Sequence, residues 1–188
     1  MTTVKIILLL VVLAPFCMAA ASTDCRGVPA LDGSSACGES CSTKLLQDLC
    51  IDVMIWGGVE ISGSRKEGAT GYVILAARFA VESLDATQLA ARNQLSQNTS
   101  FSGQERNAYE GCLNDYATAR SSINRFANEM LPKCQFAGVA DEFARGVKSC
   151  WIRLMRPPVK STPLYNLVWA DWYKLLLIHL LDGKLLGI

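Results

Sequence analysis

Eight cysteines are the feature that most limits what this 188-residue chain can fold into, because their chemistry depends on the compartment. The N-terminus indicates that compartment. Residues 1–5 carry one positive charge, residues 6–14 are an unbroken apolar run and residues 19–21 are alanines. This order is typical of a secretory signal peptide, cleaved near Ala21. The alternative is an uncleaved membrane anchor, but the apolar stretch is short for the roughly 20 residues that a spanning helix needs.

Secretion predicts that most of the remaining cysteines form disulfides. Removal of residues 1–21 takes away Cys17 and leaves seven, namely Cys25, Cys37, Cys41, Cys50, Cys112, Cys134 and Cys150. Because seven is odd, at least one stays free or pairs with another chain. A zinc site among the first four is disfavoured, since there is no C-x2-C motif and the single histidine is far away. We therefore expect no metal and no cofactor.

The cysteine spacings leave the pairing open. Cys41 and Cys50 would be separated by about 13.5 Å of rise on one straight helix, whereas a disulfide needs Cα atoms within about 7 Å. Either the chain turns between them or each binds elsewhere. Cys112 and Cys150 each lie in a helical pattern. A bond between these two would hold consecutive helices side by side and contribute on the order of 3–4 kcal/mol.

Apolar residues recur at helical spacing through most of the chain, and strand signals are nearly absent. Residue pairs with capping-box spacing, Ser64 with Glu67 and Ser102 with Glu105, precede the first two long patterns. Prolines interrupt the later ones. Four long helices are predicted, over residues 69–97, from residue 102 to 130, from 136 to 154, and from 162 to 183.

Four amphipathic helices with short connections predict an all-α fold, an up-down-up-down four-helix bundle. A coiled coil is disfavoured, because Pro and Gly break each pattern before three or four heptads accumulate. Residues 37–56 are predicted to form a shorter helical hairpin, and residues 22–36 a loosely ordered arm. The predicted organisation is therefore a signal peptide (1–21), an arm (22–36) and one helical domain (37–188).

The last helix is unusually apolar, but residues 164–181 are interrupted by Asp171 and Lys174. A buried helix is favoured over a membrane span, and an exposed face used for dimerisation stays open.

Catalytic and nucleic-acid-binding signals are missing from the sequence. A formal net charge of +1 gives no basis for electrostatic nucleic-acid binding. No G-x-S-x-G, H-E-x-x-H, P-loop or G-x-G-x-x-G motif is present. His179 lies in an apolar helix and is predicted to be a packed structural histidine. We therefore expect no catalytic residue and no enzyme. Asn98 begins an N-glycosylation sequon, which predicts a glycoprotein with a surface loop there.

A group of motifs carries a family resemblance. The motifs are the C-x8-C spacing of Cys41 and Cys50, a long Ala-rich helix, the stretch YEGCLNDYA at residues 109–117, the Ser149–Cys150 pair and a Leu-rich terminal helix. Over residues 37–186 this order resembles the plant invertase and pectin methylesterase inhibitor family.

The resemblance implies a four-helix bundle with an N-terminal helical hairpin and with disulfides Cys41–Cys50 and Cys112–Cys150. It implies a protein secreted to the apoplast or cell wall. Family members form a stoichiometric complex with a carbohydrate-active enzyme and cover its substrate cleft, without chemistry of their own. Cys25, Cys37 and Cys134 are extra to this pattern.

The target enzyme is less clear from the sequence. Invertase-directed members carry a Pro-Lys-Phe turn, and here Pro132, Lys133 and Phe136 come close to it, with two residues inserted. The functional interpretation is a lysine presented to an acidic sugar-binding cleft. The alternative is a helix-breaking proline followed by a solvated lysine. Pectin methylesterase and acid invertase both remain candidate partners. A second function class, a non-inhibitory secreted binder of an apolar ligand or another protein, stays open.

Overall fold

The computed structural model describes residues 25–61, 66–135, 140–155 and 163–187. The predicted signal peptide, Ser64, Phe136 and Thr162 lie outside them. The chain is all-α, as predicted, apart from one small antiparallel pairing of β1 (Ala30–Leu31) with β2 (Glu67–Gly68). The six α-helices are α1 (Gly33–Ser40), α2 (Lys44–Trp56), α3 (Ala69–Gln97), α4 (Gly103–Arg125), α5 (Ala140–Leu154) and α6 (Pro163–Leu185).

The helix starts show which capping signals act. At α4 the predicted capping box is present, because the Ser102 side chain accepts from the Glu105 N–H while the Glu105 carboxylate accepts from the Ser102 N–H. The predicted box at Glu67 is wrong. Glu67 lies in β2, in register with Leu31, and α3 begins after Gly68 without a side-chain cap.

Helices α3 and α4 run antiparallel, as their side-chain pairs show. Near the end of α3, Gln94 accepts a 2.6 Å hydrogen bond from the Tyr109 hydroxyl near the start of α4. Earlier in α3, Asp85 forms a 2.5 Å ion pair with Arg120, which comes later in α4.

Helices α4 and α5 are also antiparallel and are joined covalently. The Cys112–Cys150 disulfide, the pair that the family resemblance implied, has Cα atoms 4.5 Å apart. Towards the other end of the pair, Arg125 of α4 binds Glu142 of α5 at 2.6 Å. Gly146 lies between these two links, where an added Cβ would come 2.6 Å from the Asp115 carbonyl oxygen. The absence of a side chain at this position therefore permits the close approach of the two helices.

Helix α6 packs mainly against α3 and α5. Trp169 of α6 contacts the Trp151 ring of α5, with ring centroids 5.3 Å apart.

None of the described helices is both long and apolar enough to cross a membrane. His179 is exposed, so the expectation of a packed histidine is wrong. Its neighbours Ile178 and Leu181 are buried in the core, so His179 lies on the solvent-facing side of α6.

The disulfide of the N-terminal hairpin differs from the implied Cys41–Cys50 bond. Cys50 of α2 pairs with Cys37 of α1, with Cα atoms 5.7 Å apart, and Cys41 is a free, buried thiol. The reason is geometric. Cys41 caps the end of α1 in the connection to α2, and Cys50 lies about 10 Å along α2 from that connection. Cys37, one turn back along α1, lies opposite Cys50.

Residues 25–36 are held in place, in contrast to the loosely ordered arm predicted for residues 22–36. Strand β1 pairs with β2, and the Tyr72 hydroxyl donates a 2.7 Å hydrogen bond to the Leu31 carbonyl. Helix α1 begins within this segment, with the Asp32 side chain as its N-cap. Cys25 is bonded to Cys134, 109 residues away. A cross-link across a loop of this length contributes about 4–5 kcal/mol from loop-closure entropy.

Gly146→Ala is expected to destabilise the protein by about 1–3 kcal/mol, because the new methyl group would meet the Asp115 carbonyl and the Ala119 side chain. The measurement is the free energy of unfolding in urea. Gly38→Ala is the matched control, since Gly38 is an exposed helical glycine with open space around its Cβ position. We expect it to be neutral or to stabilise by about 0.5–1 kcal/mol. Equal losses in both variants would contradict the close packing at Gly146.

Candidate functional site

The segment after α4 has an irregular backbone. Phe126–Met130 forms a π-helical turn, in which the Leu131 N–H donates to the Phe126 carbonyl five residues back. A short 3-10 turn, Leu131–Lys133, follows. Pro132 provides the cause, since proline has no N–H and its ring clashes with the carbonyl four residues earlier in a regular α-helix. Single π-helical turns inside α-helices are frequent at functional sites.

Cys134 ends this segment in a left-handed conformation, with φ of 56°. In the parts of the chain that are described, it is the one non-glycine residue with positive φ. Its N–H donates to the Leu131 carbonyl, and the next N–H, that of Gln135, donates to the Met130 carbonyl, both at 3.0 Å. These two hydrogen bonds form a Schellman motif, the common helix ending with a left-handed residue, although that residue is usually glycine because the geometry is costly for a residue with a side chain. Residues 126–134 are called the 126–134 turn below.

Two of the three predicted partner-binding residues lie in the 126–134 turn. Pro132 is half-buried and Lys133 is exposed. The third, Phe136, lies outside the described residues. Leu131 is fully buried beneath them and anchors the turn to the core. The disulfide from Cys134 to the buried Cys25 ties the other end of the turn to the N-terminal segment. Lys133 is therefore presented from a backbone that is fixed on both sides.

A polar groove of about 400 Å³ runs along α4 into the 126–134 turn. It is called the α4 groove below, and its lining residues are Ala117, Arg120, Ser121, Asn124, Arg125, Asn128 and Glu129. Four of them recur at spacings of three and four residues, so they form one stripe on the outer face of the helix. The groove offers amide, hydroxyl and charged groups for hydrogen bonds.

Both arginines of the α4 groove form ion pairs with carboxylates of the neighbouring helices. Arg120 reaches sideways to Asp85 of α3, and Arg125 reaches to Glu142 of α5. All four side chains are about half exposed, so these pairs contribute little to stability and stay within reach of a partner. Lys133 adds a cation at the end of the groove.

The predicted glycosylation site lies at the other end of α4. Asn98 is the C-cap of α3, in the connection to α4, and the next two residues of the sequon are exposed. The 23 residues of α4 separate this end from the 126–134 turn by about 35 Å.

A second cluster of functional groups surrounds Asp171, which is 1% exposed. Its carboxylate accepts hydrogen bonds from the Ser83 hydroxyl, from the Thr87 hydroxyl at 2.7 Å and from the Tyr116 hydroxyl at 2.9 Å. Lys174 completes the set, since its Nζ lies 3.1 Å from the carboxylate and also donates to Ser83. Four donors from α3, α4 and α6 thus converge on one buried anion.

The hydrogen bonds of the Asp171 cluster link three helices to one another without a covalent bond. Burial, together with the Asp171 charge beside it, raises the pKa of Tyr116 and keeps its hydroxyl protonated as a donor. The Ser83 hydroxyl donates to Asp171 while Lys174 donates to Ser83, so the serine oxygen is held between a carboxylate and an ammonium group. A signal for this cluster was visible in the sequence, where Asp171 and Lys174 interrupt an apolar helix at a spacing of one turn.

Asp182 lies three turns along α6 from Asp171 and differs from it in its hydrogen bonding. It is buried, and within the described residues its Oδ1 atom has no hydrogen-bond partner. Desolvation raises the pKa of this carboxyl from its ordinary value of 3.8 to about 6, and the nearby His179 opposes the shift.

Comparison with family models, with curated proteins and with solved structures finds no match to this chain. The resemblance to an inhibitor family therefore rests on the sequence motifs alone.

Asp171→Ala is expected to lower the free energy of unfolding by about 3–5 kcal/mol, because it leaves a half-buried lysine and the buried Thr87 and Tyr116 hydroxyls without their acceptor. The matched control is Asp85→Ala, which removes a carboxylate that binds Arg120 at the surface and should cost at most about 1 kcal/mol. Urea unfolding monitored by circular dichroism measures both. Similar losses in the two variants would show that the Asp171 cluster does not hold the helices together.

Asp182→Asn is expected to flatten the pH dependence of stability. Because the pKa of Asp182 is higher in the folded than in the unfolded chain, the folded state binds the proton more tightly and stability falls as pH rises from about 4 to about 6. Relative to the wild type, the variant should gain on the order of 1 kcal/mol between pH 4 and pH 7, a value reduced for solvent screening. Unfolding at the two pH values is the measurement, and parallel pH profiles would contradict it.

Proposed function

We propose that this protein is a secreted inhibitor that binds a plant cell-wall carbohydrate-active enzyme, pectin methylesterase or acid invertase, and covers its substrate cleft. The observation that carries the proposal is the 126–134 turn. An exposed lysine, Lys133, stands on a backbone that combines a π-helical turn, a left-handed residue and a disulfide. Such irregular backbone persists only where the surroundings determine it, and it is concentrated at functional sites.

Rigidity supports a binding role. Two proteins that associate lose entropy when loops and side chains are ordered at the interface, and a segment that is already fixed avoids that cost. The 126–134 turn is fixed by Leu131 beneath it and by the bond from Cys134 to Cys25. The α4 groove beside it supplies polar groups at the spacing of a helix face. We propose that both surfaces contact the enzyme, with Lys133 directed at acidic groups in its cleft.

The finer fold and the location belong to the same proposal. Antiparallel contacts between α3 and α4, and between α4 and α5, support an up-down-up-down four-helix bundle that carries α1 and α2 as its N-terminal hairpin. Three disulfides support an oxidising compartment outside the cytosol, because reducing conditions disfavour such bonds. A glycan on Asn98 would lie about 35 Å from the 126–134 turn and would leave the proposed contact surface free.

The alternative, a binder of apolar ligands, is less well supported. Within the described residues, the space between Ala91, Leu113 and Leu164 has no volume for even a water-sized molecule. We therefore favour a protein partner.

Lys133→Glu is expected to weaken binding to the target enzyme about tenfold or more, since it reverses the charge at the centre of the proposed contact. Arg92→Glu is the matched control, because it makes the same change in charge at an exposed position of α3 near the Asn98 end. Titration of pectin methylesterase and of acid invertase, with residual activity as the readout, measures inhibition by each variant.

The wild-type protein should inhibit one of the two enzymes at micromolar concentration or below. Absence of inhibition of both would overturn the proposed function. Inhibition that Lys133→Glu and Arg92→Glu weaken equally would place the contact elsewhere on the protein.

A further inference from the structure

The three disulfides differ in their exposure. The four cysteines of the Cys37–Cys50 and Cys112–Cys150 bonds are each at most 2% exposed. In the third bond Cys25 is buried, but Cys134 is an exposed residue. Attack by an external thiol requires access to a disulfide sulfur, and exposed disulfides are in general the labile and regulatory ones. Exposure thus sets the Cys25–Cys134 bond apart from the other two.

Cys134, the exposed residue of this bond, also ends the 126–134 turn. Cys134 directly follows Lys133, and three restraints maintain its left-handed backbone: the bond to Cys25, its own hydrogen bond to the Leu131 carbonyl and that of Gln135 to the Met130 carbonyl. Loss of the disulfide removes the one covalent restraint and leaves the two hydrogen bonds. The backbone of a residue with a side chain then favours leaving the left-handed region, and Lys133 moves with it.

We propose that the Cys25–Cys134 disulfide is a redox modification site, opened by a dithiol reductant, and that its opening loosens the 126–134 turn and weakens binding of the partner enzyme. The last part rests on the proposed function. The first two parts concern this chain alone.

The reaction is a thiol–disulfide exchange in which two electrons pass from the dithiol to the protein. A thiolate of the reductant attacks Sγ of Cys134, the bond to Cys25 breaks, and Cys25 leaves as a thiolate that takes a proton from solvent. The second thiol of the reductant then attacks the mixed disulfide, and Cys134 is released as a thiolate that is protonated in turn. The products are two protein thiols and one oxidised reductant.

The surroundings of Cys25 suit the product. Its Sγ lies 3.9 Å from the Leu131 carbonyl oxygen, within reach of a weak hydrogen bond once the sulfur carries a proton. This carbonyl is also the acceptor for the Cys134 N–H. Because a carbonyl oxygen can accept two hydrogen bonds, it can serve the reduced Cys25 as well.

The order in which the three disulfides are reduced tests the proposed modification site without any partner enzyme. The mature protein is treated with increasing dithiothreitol, its thiols are alkylated with iodoacetamide, and the labelled peptides are identified by mass spectrometry. We expect Cys25 and Cys134 to be labelled about tenfold earlier than the four cysteines of the buried disulfides. Simultaneous labelling of all six, or earlier labelling of another pair, would overturn the proposal.

Cys41→Ser is the control for exchange within the protein. Burial raises the pKa of the Cys41 thiol, which lowers its thiolate fraction, and the residue is 2% exposed. Cys41 should therefore remain unlabelled in the native protein, and the serine variant should keep the order of reduction. A changed order would assign the reactivity to Cys41 instead and overturn the role of Cys134.

Hydrogen exchange tests the conformational part. In the selectively reduced, alkylated protein, the amides of the 126–134 turn should exchange faster, while those in the middle of α3 should not change. The Cys25→Ser/Cys134→Ser variant should show the same pattern and should not respond to dithiothreitol. If this variant does not fold, the alkylated wild type supplies the same open state. Unchanged exchange in the turn after reduction would refute the coupling.

Affinity for the enzyme separates the two proposals. If the oxidised protein inhibits its target, the reduced and alkylated form should bind about tenfold more weakly. Equal inhibition by both forms would reject the regulatory role and leave the proposed function standing. If the oxidised protein inhibits neither enzyme, the proposed function fails, whereas the labelling and exchange results still decide on the modification site.

Discussion

The carboxylate of Asp171 is the interaction on which the arrangement of the long helices depends. It is almost completely buried, and such a charge is tolerable only where partners surround it. The donors come from α3, α4 and α6, so the three helices must keep one register for all hydrogen bonds to form. Apolar packing alone permits helices to slide by a turn, whereas a buried anion with fixed donors does not. Single buried polar groups fix helix register in this way in other helical assemblies.

Disulfides connect to the rest of the fold the elements that the Asp171 cluster does not contact. The Cys112–Cys150 bond joins α4 to α5, and the Cys37–Cys50 bond joins the two short helices. The Cys25–Cys134 bond joins the N-terminal segment to the end of the 126–134 turn. The irregular 126–134 turn lies between the helical core and this last bond, so the same restraints that stabilise the fold also determine how Lys133 is presented.

The sequence predicted the regular parts well and the local exceptions poorly. Periodic apolar residues located α3 to the residue, and the Ser102–Glu105 capping box located the start of α4, because both signals are local. The pairing of Cys50 with Cys37 depends on where the chain turns between α1 and α2, which spacing does not show. Apolar periodicity does not signal the π-helical turn before Pro132 or the left-handed Cys134, because both are local departures from the regular helix. Lys133 was a candidate from its motif, but the α4 groove beside it required coordinates.

The position of Cys25 also has a consequence for biogenesis. Ribosomes make the chain from its N-terminus, so this thiol must wait while 109 further residues are added before its partner exists. Cys37, Cys41, Cys50 and Cys112 are all synthesised during that interval and can pair with it first. Any such early pair must be reshuffled before Cys25 reaches Cys134, a step that isomerases accelerate and that occurs over seconds to hours.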